Sequence, residues 1–94
     1  MTRYTVVWNK QTSDKLAELW LRNLLVRQEI TDAANDLDRR LATQPDQAGE
    51  PFSETSRYVV SIPLSVLFRI SEVDATVRVF HVQFWEDDLL RSSQ

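Results

Sequence analysis

Residues 57–85 read RYVVSIPLSVLFRISEVDATVRVFHVQFW. Three runs rich in Val, Ile and Phe are broken at Pro63 and again over Glu72 to Thr76. β-Branched and aromatic side chains at this density suit a pleated, half-buried surface, and each break is short enough to be a hairpin connection. The stretch is therefore predicted to form a three-stranded antiparallel meander. Strict alternation sorts its side chains onto two faces. Tyr58, Val60 and Ile62, then Leu64, Val66, Phe68 and Ile70, then Phe80, Val82 and Phe84 make the more apolar set, expected to lie against the rest of the chain. Arg57, Val59, Ser61, Ser65, Leu67, Arg69, Ser71, Val77, Val79, His81 and Gln83 fall on the other face. Aliphatic groups among polar and basic ones are a composition suited to contact. A separate partner, a second copy or the chain's own C-terminal tail would cover them.

The chain upstream supplies the cover. Tyr4 to Trp8 (YTVVW) is a short β-prone run, and Asn9 to Ser13 is polar. Thr12 or Ser13 can cap a helix, Asp14 suits its positive end, and Leu16, Trp20 and Leu24 recur at fourfold spacing, which predicts a helix from Asp14 to about Val26. A second apolar series, Ile30, Ala34, Leu37 and Leu41, predicts another helix that begins between Gln28 and Thr31 and is stopped by Pro45. Thr43 to Ser56 holds Pro45, Pro51 and Gly49, the one glycine in the chain, and reads as a loop. The order strand, helix, helix, loop, strand, strand, strand is α+β, with a helical hairpin on one face of a sheet. Residues 1–94 are expected to be a single domain, with 85–94 as a C-terminal tail.

Composition narrows the chemistry. The chain has no Cys and one His, so neither a disulfide framework nor a thiolate or histidine metal site is expected, and no cofactor is implied. No apolar run approaches membrane-spanning length and no leader pattern opens the chain, so a cytoplasmic protein without a membrane partner is expected. Charge is uneven: residues 1–45 sum to +1 and residues 46–94 to −4. With a pI near 5.0, a general grip on nucleic acid is disfavoured.

Order and residues together resemble the RelE/ParE superfamily of toxins from bacterial type II toxin–antitoxin modules, which are associated with plasmid stabilisation. The resemblance is carried by YTVVW, by LAELWLRNLLVRQEITDAANDLDRRLATQP, by the GEP of the loop, and by RYVVSIPLSVLFRI followed by VRVFHVQ. It implies a small toxin, a cognate antitoxin partner and a sheet face that the antitoxin occupies. RelE-like members cleave messenger RNA in the ribosome with sheet Lys or Arg residues and often a terminal Tyr or His; ParE-like members lack that set and inhibit DNA gyrase. Here Ser65 stands where a sheet Arg is usual, and Gln83, Phe84 and Trp85, then Glu86, Asp87 and Asp88, replace the basic segment after the last strand. The resemblance therefore points to ParE-like target binding. The alternatives are a RelE-like endonuclease and a non-toxic relative that persists as a homodimer or antitoxin-binding protein.

Metal-independent RNA cleavage needs a base for the 2′-hydroxyl, a cation for the phosphate and an acid for the leaving oxygen. His81 is the candidate acid or base, and Arg57 and Arg69 are the candidate phosphate ligands, since all three fall on one predicted face. The simpler reading makes His81 a strand residue among valines and pairs the arginines with acids. For partner binding, the candidates are Arg57, Val59, Leu67, Arg69, Val77, Val79, His81 and Trp85, with Trp85 a possible anchor at the strand end. Trp8 and Trp20 are expected to pack, and Asp38, Arg39 and Arg40 to form the solvated side of the second helix.

Overall fold

A computed structural model describes residues 3–85. Strand β1 (Thr5–Trp8) leads into α1 (Lys10–Arg22), a single 3₁₀ turn (Leu24–Val26) and α2 (Arg27–Thr43). Strands β2 (Glu50–Pro51), β3 (Arg57–Ser61), β4 (Leu64–Ser71) and β5 (Thr76–Phe84) follow. They form one five-stranded sheet in the order β1-β5-β4-β3-β2, with β1 parallel to β5 and every other pair antiparallel. The expected α+β architecture is present, with the N-terminal strand beside the last. Of the expected tail, 85–94, Trp85 is described and residues 86–94 lie outside the described residues.

Both helices begin earlier than their apolar spacing suggests. Asn9 is the cap of α1: its side chain accepts from the Thr12 N–H at 2.8 Å, which satisfies a donor the first turn would leave unpaired. The hairpin between helices is tight because Asn23 closes α1 by donating from Nδ2 to the Leu19 carbonyl, and Arg27 donates from Nε to the Trp20 carbonyl. α2 therefore starts at Arg27, directly after the 3₁₀ turn. Ile30, Ala33, Leu37 and Leu41 are its buried stripe, with Ala33 fully inward where Ala34 was expected.

These residues and Leu19 of α1 pack on Val59, Leu64, Val66, Phe68, Val77, Val79 and Val82 of the sheet. Two of the predicted faces must therefore be corrected. Pro63 sits in a two-residue connection in which Ser61 pairs Leu64, so each inward even-numbered residue of β4 faces an odd-numbered residue of β3. Val59 is inward and buried, while Tyr58 and Val60 point away from the helices. In β5 the register shifts: Leu67 pairs His81 but Phe68 pairs Val79, which leaves Phe80 as an extra residue, a β-bulge. The bulge resets alternation, so Val77 and Val79 before it and Val82 after it all face the helices.

The remaining edges are held by side chains. On α2, Asp36 accepts from Ser61 Oγ at 2.9 Å and Arg40 donates from Nη1 to the Val60 carbonyl at 3.1 Å, tying the helix to the free edge of β3. Trp8 packs against the core and donates from its indole to Asp38 Oδ1 at 2.7 Å, so Asp38 and Arg40 do more than solvate α2. Trp20 is less buried than expected, at 38% exposure, with the Arg27 guanidinium 3.9 Å from its ring centroid. The loop is pinned at Gly49, whose φ is +142° and where a Cβ would lie 2.0 Å from the Tyr58 carbonyl oxygen. Only glycine lets β2 approach β3 there.

The corrected register predicts unequal effects for neighbouring valines. Val59→Ala should cost about 2 kcal/mol by denaturant unfolding, as a buried truncation does, whereas Val60→Ala should change stability by less than about 0.5 kcal/mol. Gly49→Ala should cost about 2 kcal/mol or more through combined clash and backbone strain.

Candidate functional site

The helices leave one face of the sheet uncovered, and its side chains differ from those expected. β3 contributes Tyr58 and Val60; β4 contributes Ser65, Leu67 and Arg69; β5 contributes Arg78, His81 and Gln83. Phe52, from the loop between β2 and β3, stands edge-on to Tyr58 with ring centroids 6.5 Å apart. Trp85, just beyond β5, folds back over the sheet: its backbone N–H donates to the Pro63 carbonyl at 2.7 Å and its indole Nε1–H to Ser65 Oγ at 3.0 Å. Phe52, Tyr58, Leu67 and Trp85 thereby wall a concavity of about 300 Å³ into which Ser65, His81 and Gln83 supply polar groups.

The two ends of this face have different chemistry. The concavity extends from the middle of the sheet toward the β3–β4 hairpin and has neither Arg nor Lys in its lining. Toward the β4–β5 turn, Arg69 and Arg78 are directly opposed across the strands. Like charges so placed repel. Arg69 stacks its guanidinium 4.8 Å from the centroid of Phe80, a cation–π contact that offsets part of that cost. Among the described residues neither arginine takes part in an ion pair.

Of the sequence-derived candidates, Leu67, Arg69, His81 and Trp85 stand on this face. Arg57, Val59, Val77 and Val79 do not. Val59, Val77 and Val79 are core residues with at most 2% exposure, closed to any partner. Arg57 shares the orientation of Val59; its Nη2 donates to the Gly49 carbonyl at 2.7 Å, while its Nε is buried without a partner. It holds the loop to β3 and is not grouped with His81. The geometry brings forward Phe52, Tyr58 and Arg78 in their place. Arg78 had a signal in the sequence: strict alternation would have buried its guanidinium beside Val82 and Phe84, a costly placement that a bulge removes. Among the described residues, no three His, Cys, Asp or Glu side chains converge as metal ligands, and no helix is long and apolar enough to cross a membrane.

Comparison with solved structures places this architecture. A chain of the RelBE2 toxin–antitoxin complex from Mycobacterium tuberculosis superposes with a TM-score of 0.72 at 20% identity, covering 89% of this chain and 93% of that one. The chain has the RelE/ParE toxin fold. A chromosomal ParDE toxin–antitoxin system from P. aeruginosa gives a TM-score of 0.70 at 14% identity over 89% of this chain and 98% of that one. The isolated RelE toxin of E. coli gives 0.64 at 13% identity over 96% and 93%. No family model matches the sequence, and no curated protein is significantly similar to it. RelE-named and ParE-named structures share the RelE/ParE fold with this chain at similar, low identity, so the likeness is one of fold, and the side chains on the uncovered face must carry any finer distinction.

Two of the three sheet arginines, Arg57 and Arg69, should separate by stability. Arg57→Ala should cost about 1–3 kcal/mol, because it strips a charge-assisted hydrogen bond from the Gly49 carbonyl, while Arg69→Ala should remain within about 0.5 kcal/mol of the parent in denaturant unfolding.

Proposed function

We propose that this chain is the toxin component of a type II toxin–antitoxin module and acts by binding a target protein, with DNA gyrase the target that ParE resemblance indicates. A cognate antitoxin neutralises it by occupying the uncovered sheet face. The observation that carries this reading is the concavity under Trp85. At the place where RNA cleavage would need a cation beside its acid and base, Ser65 is hydrogen-bonded to an indole and the walls are Phe52, Tyr58 and Leu67. Aromatic and aliphatic walls with a few polar groups suit the anchor side chains of a protein partner. The fold likeness to chains from toxin–antitoxin complexes supports an antitoxin as that partner.

One observation favours a second reading, a ribosome-dependent messenger RNA endonuclease. The bulge puts Arg78 on the same face as Arg69 and His81, so two phosphate-binding cations and one acid–base group share a surface. Arg57 has no place in this version of the site.

Induced expression in a bacterial host decides between them. On the binding reading, growth stops, purified chain inhibits gyrase supercoiling, transcripts remain full length, and His81→Ala keeps its potency within about tenfold, since the histidine makes contact without transferring a proton. Transcript cleavage that is lost in His81→Ala, Arg69→Ala or Arg78→Ala would replace it with the nuclease. Harmless expression would leave a non-toxic relative of the fold.

A further inference from the structure

The uncovered face is polarised along its strands, and the polarity specifies what fits it. Phe52 and Tyr58, 62% and 38% exposed, wall the concavity with Leu67 and Trp85, and Val60 and Ile62, 42% and 61% exposed, lie beyond it toward the β3–β4 hairpin. At the turn end, Arg69 and Arg78 are opposed and, among the described residues, unpaired with any acid. Ser65, under Trp85, and Arg69 are four residues apart on β4, a separation of about 13 Å at the rise of a strand.

Resting on the reading of this face as a docking surface, we propose that its occupant is a segment of a partner polypeptide with two-part chemistry. A bulky apolar side chain seats between Tyr58 and Trp85, and acidic side chains lie over Arg69 and Arg78. A carboxylate there relieves the repulsion between the opposed guanidinium groups and can accept from both. The apolar anchor removes exposed aromatic and aliphatic carbon from water at the other end. Tyr58 is level with Leu67, two residues from Arg69, and Trp85 stands over Ser65, four residues from it, so the seat lies about 7–13 Å from the arginines: about two to four residues between anchor and acid if the segment is extended, or about five to nine if it is helical.

Nucleic acid fits this pattern less well. A strand of RNA carries phosphates along its whole length, whereas the cations on this face occupy one end only. The segment 86–94, EDDLLRSSQ, combines acids with leucines and is the internal competitor for the same chemistry.

Selection of random peptides on the full-length chain tests the proposal. Enriched sequences should hold an aromatic residue, Leu or Met about two to four, or about five to nine, positions from a pair of Asp or Glu residues. A peptide so obtained should bind roughly tenfold more weakly to Tyr58→Ala and to the double variant Arg69→Ala/Arg78→Ala, with folding of each checked by circular dichroism. Raising the salt should weaken binding to the parent and much less to the double arginine variant. Peptides that need Tyr58 but ignore the arginines would overturn the acidic half while leaving the docking reading intact. If no enriched peptide is sensitive to any of these residues, both fail together. Tighter binding of a single-stranded oligouridylate than of any peptide would overturn the proposal in favour of nucleic acid. A tenfold gain in peptide affinity on changing Glu86, Asp87 and Asp88 to their amides would assign the face to the chain's own tail and overturn it as well.

Discussion

Between the Leu67–His81 and Phe68–Val79 pairs β5 carries one residue more than β4, and the make-up of the uncovered face follows from that extra residue. Without the bulge at Phe80, a strand that buries Val82 would bury Arg78 too, and one that buries Val77 and Val79 would turn His81 inward. With it, all three valines reach the core while Arg78, His81 and Gln83 reach the open face. The bulge thus reconciles a core that needs apolar volume at both ends of β5 with a surface that gathers charge and polarity between those ends. Bulges commonly re-aim side chains in this way.

The helices matter to the site through what they leave uncovered. α2 buries Ile30, Ala33, Leu37 and Leu41 against the sheet and uses Asp36 and Arg40 to grip the β3 edge, which fixes the plane on which Tyr58 is displayed. Gly49 brings β2 against β3, and Arg57 fastens that loop from behind. Phe52 is positioned against Tyr58 as a consequence. Trp85 completes the concavity from the other side by bonding to Ser65 and to the Pro63 carbonyl. Four separate pieces of chain, distant in sequence, meet in one aromatic-walled site on a rigid sheet.

The chain is acidic overall, which gives it little long-range attraction for nucleic acid, yet it sets two arginines opposite one another on the uncovered face. The aromatic end gives area and shape, and the arginine end gives orientation. On the proposed reading of this face, such a division would distinguish the direction in which a partner segment lies across it, which apolar burial alone cannot do.

Much of this was legible in the chain itself. The β-branched density of 57–85, the apolar periods before Pro45 and the polar loop around Gly49 determined an α+β fold with helices on one face of the sheet, because those signals are local and each dictates its own element. His81, Arg69 and Leu67 could be assigned to the exposed side from alternation, and Trp85 could be singled out as an anchor at the strand end. Which strand residues face inward at Arg57–Ser61 and Thr76–Val79 was decided only in three dimensions. Register depends on how a hairpin closes and where an extra residue is absorbed, and a shift of one position turns every later side chain over. The N-terminal strand's place beside β5, the retreat of Arg57 behind the sheet and the meeting of Phe52, Tyr58 and Trp85 likewise come from long-range pairing, which no local pattern in the sequence encodes.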